Sequence, residues 1–256
     1  MKVLVCIKQV PDSTVRVAVD PGGTSIVTAG MVWSISPNDE FAIEMALTLK
    51  DQDPATMVEV VTVGPKRSVD ALRHALAMGC DDASVVLEDE PLGALAVARI
   101  LAAFVTEKAP DLVLCGRQAA DDDQGFVGPA LAELLGYPHV SMLTNLRATD
   151  DGVEFEKEVE GGHEIWTASF PVVGVVHKSA REPRYPSLPK ILKAKRAVVP
   201  ERDIASFGVD LESPTVEILT MVPPPARGGG HIYRDGDVRK TSNEIARLLR
   251  DERKVL

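Results

Sequence analysis

Short apolar runs alternate with stretches of helical periodicity along the first half of the chain, and that alternation predicts a repeating strand–helix order. Val3 to Ile7 is a continuous apolar run of the kind a parallel strand buried on both faces requires, and Lys8 to Pro11 ends it. Residues 12 to 37 alternate at Val15, Val17 and Val19, turn at Pro21-Gly22-Gly23 and resume at Ile26-Val27, which predicts a hairpin protruding from the carboxyl end of the sheet. Asp39 to Lys50 reads as a helix with Phe41, Met45 and Leu49 on one stripe. Val58 to Val63 reads as the second strand, ending at Gly64-Pro65 before a helix from Arg67 to about Met78. Ala83 to Leu87 is the third, and Pro91 opens a helix that packs Val97, Ile100, Leu101, Phe104 and Val105. Leu112 to Cys115 is the fourth strand, followed by a loop rich in Gly and Asp. The helix after it carries apolar residues at Val127, Ala130, Leu131, Leu134 and Leu135, the spacing of a face laid on a core.

Four strand–helix repeats predict an α/β fold with a doubly wound, mostly parallel, Rossmann-like sheet and right-handed crossovers. Such sheets bind ligands outside the carboxyl ends of their strands, at the switch point. Cys6 to Gln9, Ser36 to Asp39, Thr62 to Pro65 and Gly116 to Gly128 then surround one crevice. Gly116, Gly125 and Gly128 let backbone approach a ligand, and Pro129 suits a first helical turn. If Gly125 to Gly128 turn their amides outward, those N–H groups and the helix dipole make a phosphate site. The plainer alternative is a strand–helix connection whose aspartates cap the helix. Neither G-x-G-x-x-G after the first strand nor G-x-x-x-x-G-K-[ST] occurs, which disfavours a standard dinucleotide site and NTP hydrolysis.

From Val140 to Val176 the pattern turns antiparallel, with alternation over Val153 to Val159, a Gly161-Gly162 turn, alternation at Trp166, Ala168 and Phe170, and then apolar Val172 to Val176. Pro183, Pro186 and Pro189 keep the next segment extended before a short helix, Lys190 to Arg196. After Pro200 apolar residues are sparse until Ile245, Leu248 and Leu249, and the stretch contains Pro223-Pro224-Pro225 and Gly228-Gly229-Gly230. A tail unable to build its own core lies on another surface, here that of a second subunit. The expected division is an α/β nucleotide-binding domain over 1–199 and a C-terminal arm and helix over 200–256.

Composition narrows the function. With 45% apolar residues a core is assured, and no uninterrupted apolar window long enough to cross a membrane occurs. The start, MKVLVCIKQV, runs straight into a strand without a signal-peptide cleavage site, so a cytoplasmic location is expected. Cys6, Cys80 and Cys115 are odd in number and widely spaced, as buried free thiols are, and the five histidines show no metal-ligand spacing. The net charge of −10 argues against nucleic acid. Residues 181–196 carry six Lys or Arg against one Glu, a local +5 that leaves −15 on the rest, and such a basic island suggests a docking surface.

The stretches VLVCIKQVPD, AIEMAL, LAMGCD, DLVLCGRQAADDD and EPRYPSLPKILKAK carry a likeness along essentially the whole chain: it resembles the beta subunit of electron transfer flavoprotein. The last stretch is the most specific, since its Arg-Tyr-x-Ser/Thr-Leu-Pro order has no general structural reason to recur. The resemblance implies an adenine nucleotide alpha-hydrolase-like fold and a non-enzymatic electron carrier working as a heterodimer. An alpha subunit would hold most of a redox-active FAD, and the beta subunit would cover its isoalloxazine end and bury a structural AMP. Acyl-CoA or other flavin dehydrogenases would dock on a recognition loop, and the electrons would pass to a membrane quinone oxidoreductase or another acceptor, with no membrane insertion by this chain.

Carried over by position, the AMP crevice is lined by Cys6, Ser36, Pro37, Asn38, Asp39, Val63, Asp121, Asp122, Asp123, Gln124, Gly125, Phe126, Val127 and Gly128, continuing to Ala132. Where AMP-binding members often have Asn-Gln-Thr, this chain has Gly125-Phe126-Val127, so backbone amides must replace side-chain contacts to phosphate. Val127-Gly128-Pro129 looks more like electron-bifurcating members, which hold a second FAD in this pocket, whereas Asp121 to Asp123 and the proline-rich loop look like ordinary members. Three carboxylates beside a phosphate would repel it. They are expected to point elsewhere, one to ribose hydroxyls and another to cap the helix. For docking, Leu188 is expected to enter a partner's apolar pocket, with Arg184, Tyr185, Lys190 and Lys193 around it. The rival class is a stress-protein-like ATP- or AMP-binding module, which needs no flavin and leaves the basic segment unexplained.

Overall fold

The computed structural model describes residues 1–177, 181–209, 211, 216–225, 232–234 and 236–255. Strand β1 (Lys2–Cys6) lies inside a nine-stranded sheet because it is apolar on both sides: Val3 and Val5 join one core cluster, Leu4 and Cys6 the other. β2 (Gln9–Pro11) and β3 (Trp33–Ile35) pair antiparallel as a small separate sheet. The hairpin expected over 12–37 is thus reduced to its two roots and one isolated bridge, Val19 to Ile26. Val17 and Val27 are exposed, and without a buried face nothing holds a longer register.

α1 (Pro37–Gln52) begins two residues before the expected Asp39, with Pro37 in its first turn. Next come β4 (Met57–Gly64), a 3-10 turn Lys66–Ser68, α2 (Val69–Met78) and β5 (Asp82–Leu87). α3 (Ala94–Lys108) starts three residues after Pro91, at Gly93 as its cap. β6 (Leu112–Gly116) leads to α4 (Val127–Leu135), whose buried side is formed by Gly128, Leu131 and Ala132. Leu134, expected in the core, is exposed, because packing on α3 and β6 turns Leu131 and Ala132 inward instead.

β7 (His139–Ala148), β8 (Gly152–Val159) and β9 (Gly162–Ser169) form the antiparallel extension at one edge. β10 (Val172–Val176) does not continue it. This wholly apolar run returns to the interior, parallel to both β6 and β7, where both its faces are covered. α5 (Leu188–Lys195) begins two residues before the expected Lys190, with Pro189 in its first turn. β11 (Glu201–Asp203) pairs with β5 at the other edge, and the 3-10 turn Ile204–Phe207 lays Phe207 on Phe104 with ring centroids 6.2 Å apart. The chain just beyond Pro200 therefore stays with the α/β body. α6 (Val238–Arg247) and a π-type turn, Leu248–Glu252, close the described part.

The strand order is β11-β5-β4-β1-β6-β10-β7-β8-β9. One core cluster packs α1 and α2 on one face, and the other packs α3 and α4 on the opposite face, which is the doubly wound, Rossmann-like arrangement. The chain leaves β1 toward β4 on one side and reaches β6 on the other, so the switch point lies between β1 and β6. Among the described residues no helix is long and apolar enough to cross a membrane.

Candidate functional site

At that switch point α1 is tied to both central strands by one side chain. Asp39 accepts hydrogen bonds from the backbone N–H of Lys8 at 2.7 Å and of Gly116 at 3.1 Å. Burial pushes its carboxyl up to about 7, against the pull of those two N–H groups and of the Lys8 charge. The approach is close enough to require glycine at 116, since a Cβ there would lie 2.1 Å from Asp39 Oδ1. Gly128 is held by the same constraint, a Cβ meeting Val175 Cγ2 at 2.8 Å, so the first turn of α4 lies directly on the sheet.

Loop β6–α4 is then braced from α1. Asn38 Nδ2 donates to the Gln118 carbonyl at 3.0 Å, and Ser36 Oγ to the same oxygen at 3.5 Å. The aspartate run is engaged by the protein. Lys8 Nζ meets Asp121 at 2.8 Å and Asp122 at 2.9 Å, and Asp123 accepts from Gln118 Nε2 at 2.7 Å. Burial lowers the Lys8 pKa, but the bonds to Asp121 and Asp122 outweigh it and the net shift is upward. None of the three caps α4, contrary to one expectation: Phe126 occupies the cap position and no side chain caps the helix there. Asp123 sits three residues before Phe126 with a left-handed φ of 52°, its carboxylate already engaged. The first turn of α4 therefore has no side-chain cap, and Pro129 within it carries no N–H.

These loops line a cleft that is partly open to solvent. Cys6, Asp39, Val63, Asp122, Gln124, Gly125, Phe126 and Val127 line it as the sequence suggested. Ser36, Pro37, Asn38, Asp121, Asp123 and Gly128 are not among its lining residues. Lys8 and Arg117, within the loops expected around the crevice but not singled out there, also line it, and sequence reasoning missed Leu92, Val97 and Leu101, which form an apolar wall from the α3 side. Lys8 could have been found as the first charge after β1, whereas Val97 and Leu101 were indistinguishable from core. Cys6 and Cys115 face each other in register across β1 and β6 at the cleft floor. A hydrogen bond between the thiols and their burial raise the Cys6 pKa well above the usual range, which keeps it protonated. Among the described residues no group of three or more His, Cys, Asp or Glu could hold a metal.

A second region lies on the far side of α1. Tyr185 is 97% exposed and Leu188 67%, and Lys190, Leu192 and Lys193 are also exposed. Arg184 departs from its expected place on the rim, because its guanidinium is engaged by Glu44 at 2.8 Å and Asp51 at 2.7 Å, with only a third of its side chain accessible. Farther on, Val216, Leu219 and Val222 expose most of their surface, while Gly228-Gly229-Gly230 lies outside the described residues.

The family model described as the electron transfer flavoprotein domain matches residues 24–206. The chain is 38% identical to the mitochondrial electron transfer flavoprotein subunit beta of Oryza sativa subsp. japonica, with each sequence covered completely. It is 37% identical to the electron transfer flavoprotein subunit beta of Bradyrhizobium diazoefficiens, over 97% of this chain and all of the relative. The human protein of the same name is 35% identical over 97% of this chain and 99% of its own length.

Proposed function

The chain belongs to the electron transfer flavoprotein family as a beta subunit, and from that premise we propose that it pairs with an alpha subunit holding most of an FAD and buries an adenine nucleotide in its own crevice. Its role is electron transfer. In this reading flavin dehydrogenases such as acyl-CoA dehydrogenases deliver electrons to the FAD at the heterodimer, which passes them to a quinone oxidoreductase or another acceptor. The nucleotide is AMP in a structural role, so this chain turns over no substrate of its own.

The observation that carries the nucleotide reading is the uncapped start of α4 at the cleft, with Phe126 in the cap position and Val127 on the wall. Free N–H groups and the positive end of the helix dipole suit a phosphate. The Lys8 clamp on Asp121 and Asp122 offsets carboxylates that would otherwise repel it. Val63, Leu101 and the two opposed thiols offer the apolar surface an adenine ring needs.

Mass spectrometry of the nucleotide released by acid from purified heterodimer tests this. One AMP per heterodimer beside one FAD is expected. Two FAD and no AMP would replace the structural nucleotide by a second flavin, the arrangement of bifurcating members. Val127-Gly128-Pro129, which looks more like the bifurcating members, is the feature that favours that second reading.

Docking is proposed at the Tyr185–Leu188 turn, with Leu188 as apolar anchor and Lys190 and Lys193 as rim charges. The exposed arm, Val216 to Val222 and α6, is proposed to lie on the alpha subunit, which would bury side chains now facing solvent.

A further inference from the structure

One charge of the basic segment faces inward. Arg184 donates its backbone N–H to Glu44 Oε2 at 3.0 Å, and its guanidinium donates to Glu44 Oε2 at 2.8 Å, Glu44 Oε1 at 2.9 Å and Asp51 Oδ2 at 2.7 Å. Both oxygens of Glu44 are thereby occupied. The Glu44 side chain is only 4% exposed on the inward side of α1, so it cannot reach a protein bound at the surface. The next residue along from Arg184, Tyr185, is 97% exposed, and Leu188 projects three residues later.

An ion pair with one buried partner, as Glu44 is here, adds little net stability over packed apolar side chains, and its best-attested use is to select one arrangement among several. Here the arrangement selected is that of a turn whose own residues are exposed. A turn free to move must be ordered at the moment of binding, whereas one already held escapes that cost. Only arginine fits, because a planar fork matches a carboxylate with two parallel bonds and a lysine cannot.

We infer that Glu44 is a positioning residue for partner docking: through Arg184 it holds the Tyr185–Leu188 turn in its docking shape, and Arg184 is a tether and not a recognition charge. This rests on the docking reading proposed above. It separates the two roles of the basic segment, with Arg184 setting shape and Lys190 and Lys193 meeting the partner's charges.

The test uses the purified heterodimer carrying Glu44→Gln, Arg184→Lys or both, with Leu188→Ala as a control. Two quantities are read: amide hydrogen exchange over residues 184–188, and the rate of flavin reduction by a limiting acyl-CoA dehydrogenase reduced with its acyl-CoA, at several NaCl concentrations. Glu44→Gln and Arg184→Lys should each speed exchange in the turn and lower the second-order rate on the order of tenfold. The double variant should be no worse than either single one, since both remove the same tether. The salt dependence should keep its parent slope, because no charge facing the partner has been lost. Arg184→Lys behaving like the parent, or exchange unchanged in Glu44→Gln while Leu188→Ala loses transfer, would overturn the inference and leave the docking reading standing. Normal transfer in Leu188→Ala with faster exchange in Glu44→Gln would instead remove the docking role and support the tether.

Discussion

The crevice and the surface beyond α1 use polar and apolar side chains in opposite ways. In the crevice Asp39, Asn38, Ser36 and Asp123 all bond to the chain itself, and the cleft is lined by two thiols and an aliphatic wall together with Lys8, Arg117, Asp122 and Gln124. In Tyr185–Leu188 and the arm at Val216–Val222, Tyr185, Leu188, Val216, Leu219 and Val222 face solvent, and beside the first of these segments Arg184 meets the buried Glu44. The first region is a cleft lined by mixed side chains, and the second is a surface of exposed apolar ones.

Removing the arm of the second region is the strongest way to break this contrast. A chain truncated after Leu211 keeps the nine strands and both core clusters, and should remain folded by circular dichroism. It should fail to copurify with the alpha subunit, so recovery of a normal heterodimer would show that the arm is not the interface.

Within the crevice, Gly116→Ala is expected to be the most damaging single change. The added methyl would strike Asp39 Oδ1 at 2.1 Å and the backbone of Asn38 at 2.8 Å, so a loss of about 3 kcal/mol is expected together with loss of the nucleotide. Denaturant midpoints and nucleotide content of the same preparation check it. Retention of nucleotide would mean that Asp39 does not brace the site.

Leu188→Ala should leave stability, FAD and nucleotide content unchanged, since Leu188 is 67% exposed. Docking should weaken by about one to two orders of magnitude, the equivalent of burying one leucine, about 1.5–3 kcal/mol. Electron transfer at limiting dehydrogenase measures it.

The last effect concerns pH. Asp39 ordinarily titrates near 3.8 and here near 7, so between these values the folded chain binds the proton that the unfolded chain has released. Its contribution to stability is therefore fully present below about pH 4, declines as pH rises, and is gone above about pH 7. Asp39→Asn should flatten this part of the pH profile of urea midpoints. An identical slope in parent and variant would place the titration elsewhere.

Much of the body was legible because period and burial agree. Val3–Cys6, Val58–Val63, Ala83–Leu87 and Leu112–Cys115 lie in strands, the first ending one residue before the expected Ile7, and the α3 residues Ile100, Leu101, Phe104 and Val105 are core. The failures share one cause. Val15 to Val19 alternate like a strand but have no layer to pack on, and Leu134 has the right spacing on a helix whose inward side was set by its neighbours. Val172–Val176 followed antiparallel strands in sequence yet sits between two parallel ones.

By itself, then, the sequence determined the strand–helix order, the switch-point loops and the family, because each is written in local period, turn residues or a contiguous motif. The tertiary structure alone decided which charges are free. Lys8 meets Asp121 and Asp122 across 113 and 114 residues, and Arg184 meets Glu44 across 140. A charge reads the same in a sequence whether it faces water or a carboxylate from a distant helix, and only the packing of α1 against the rest of the chain separates the two.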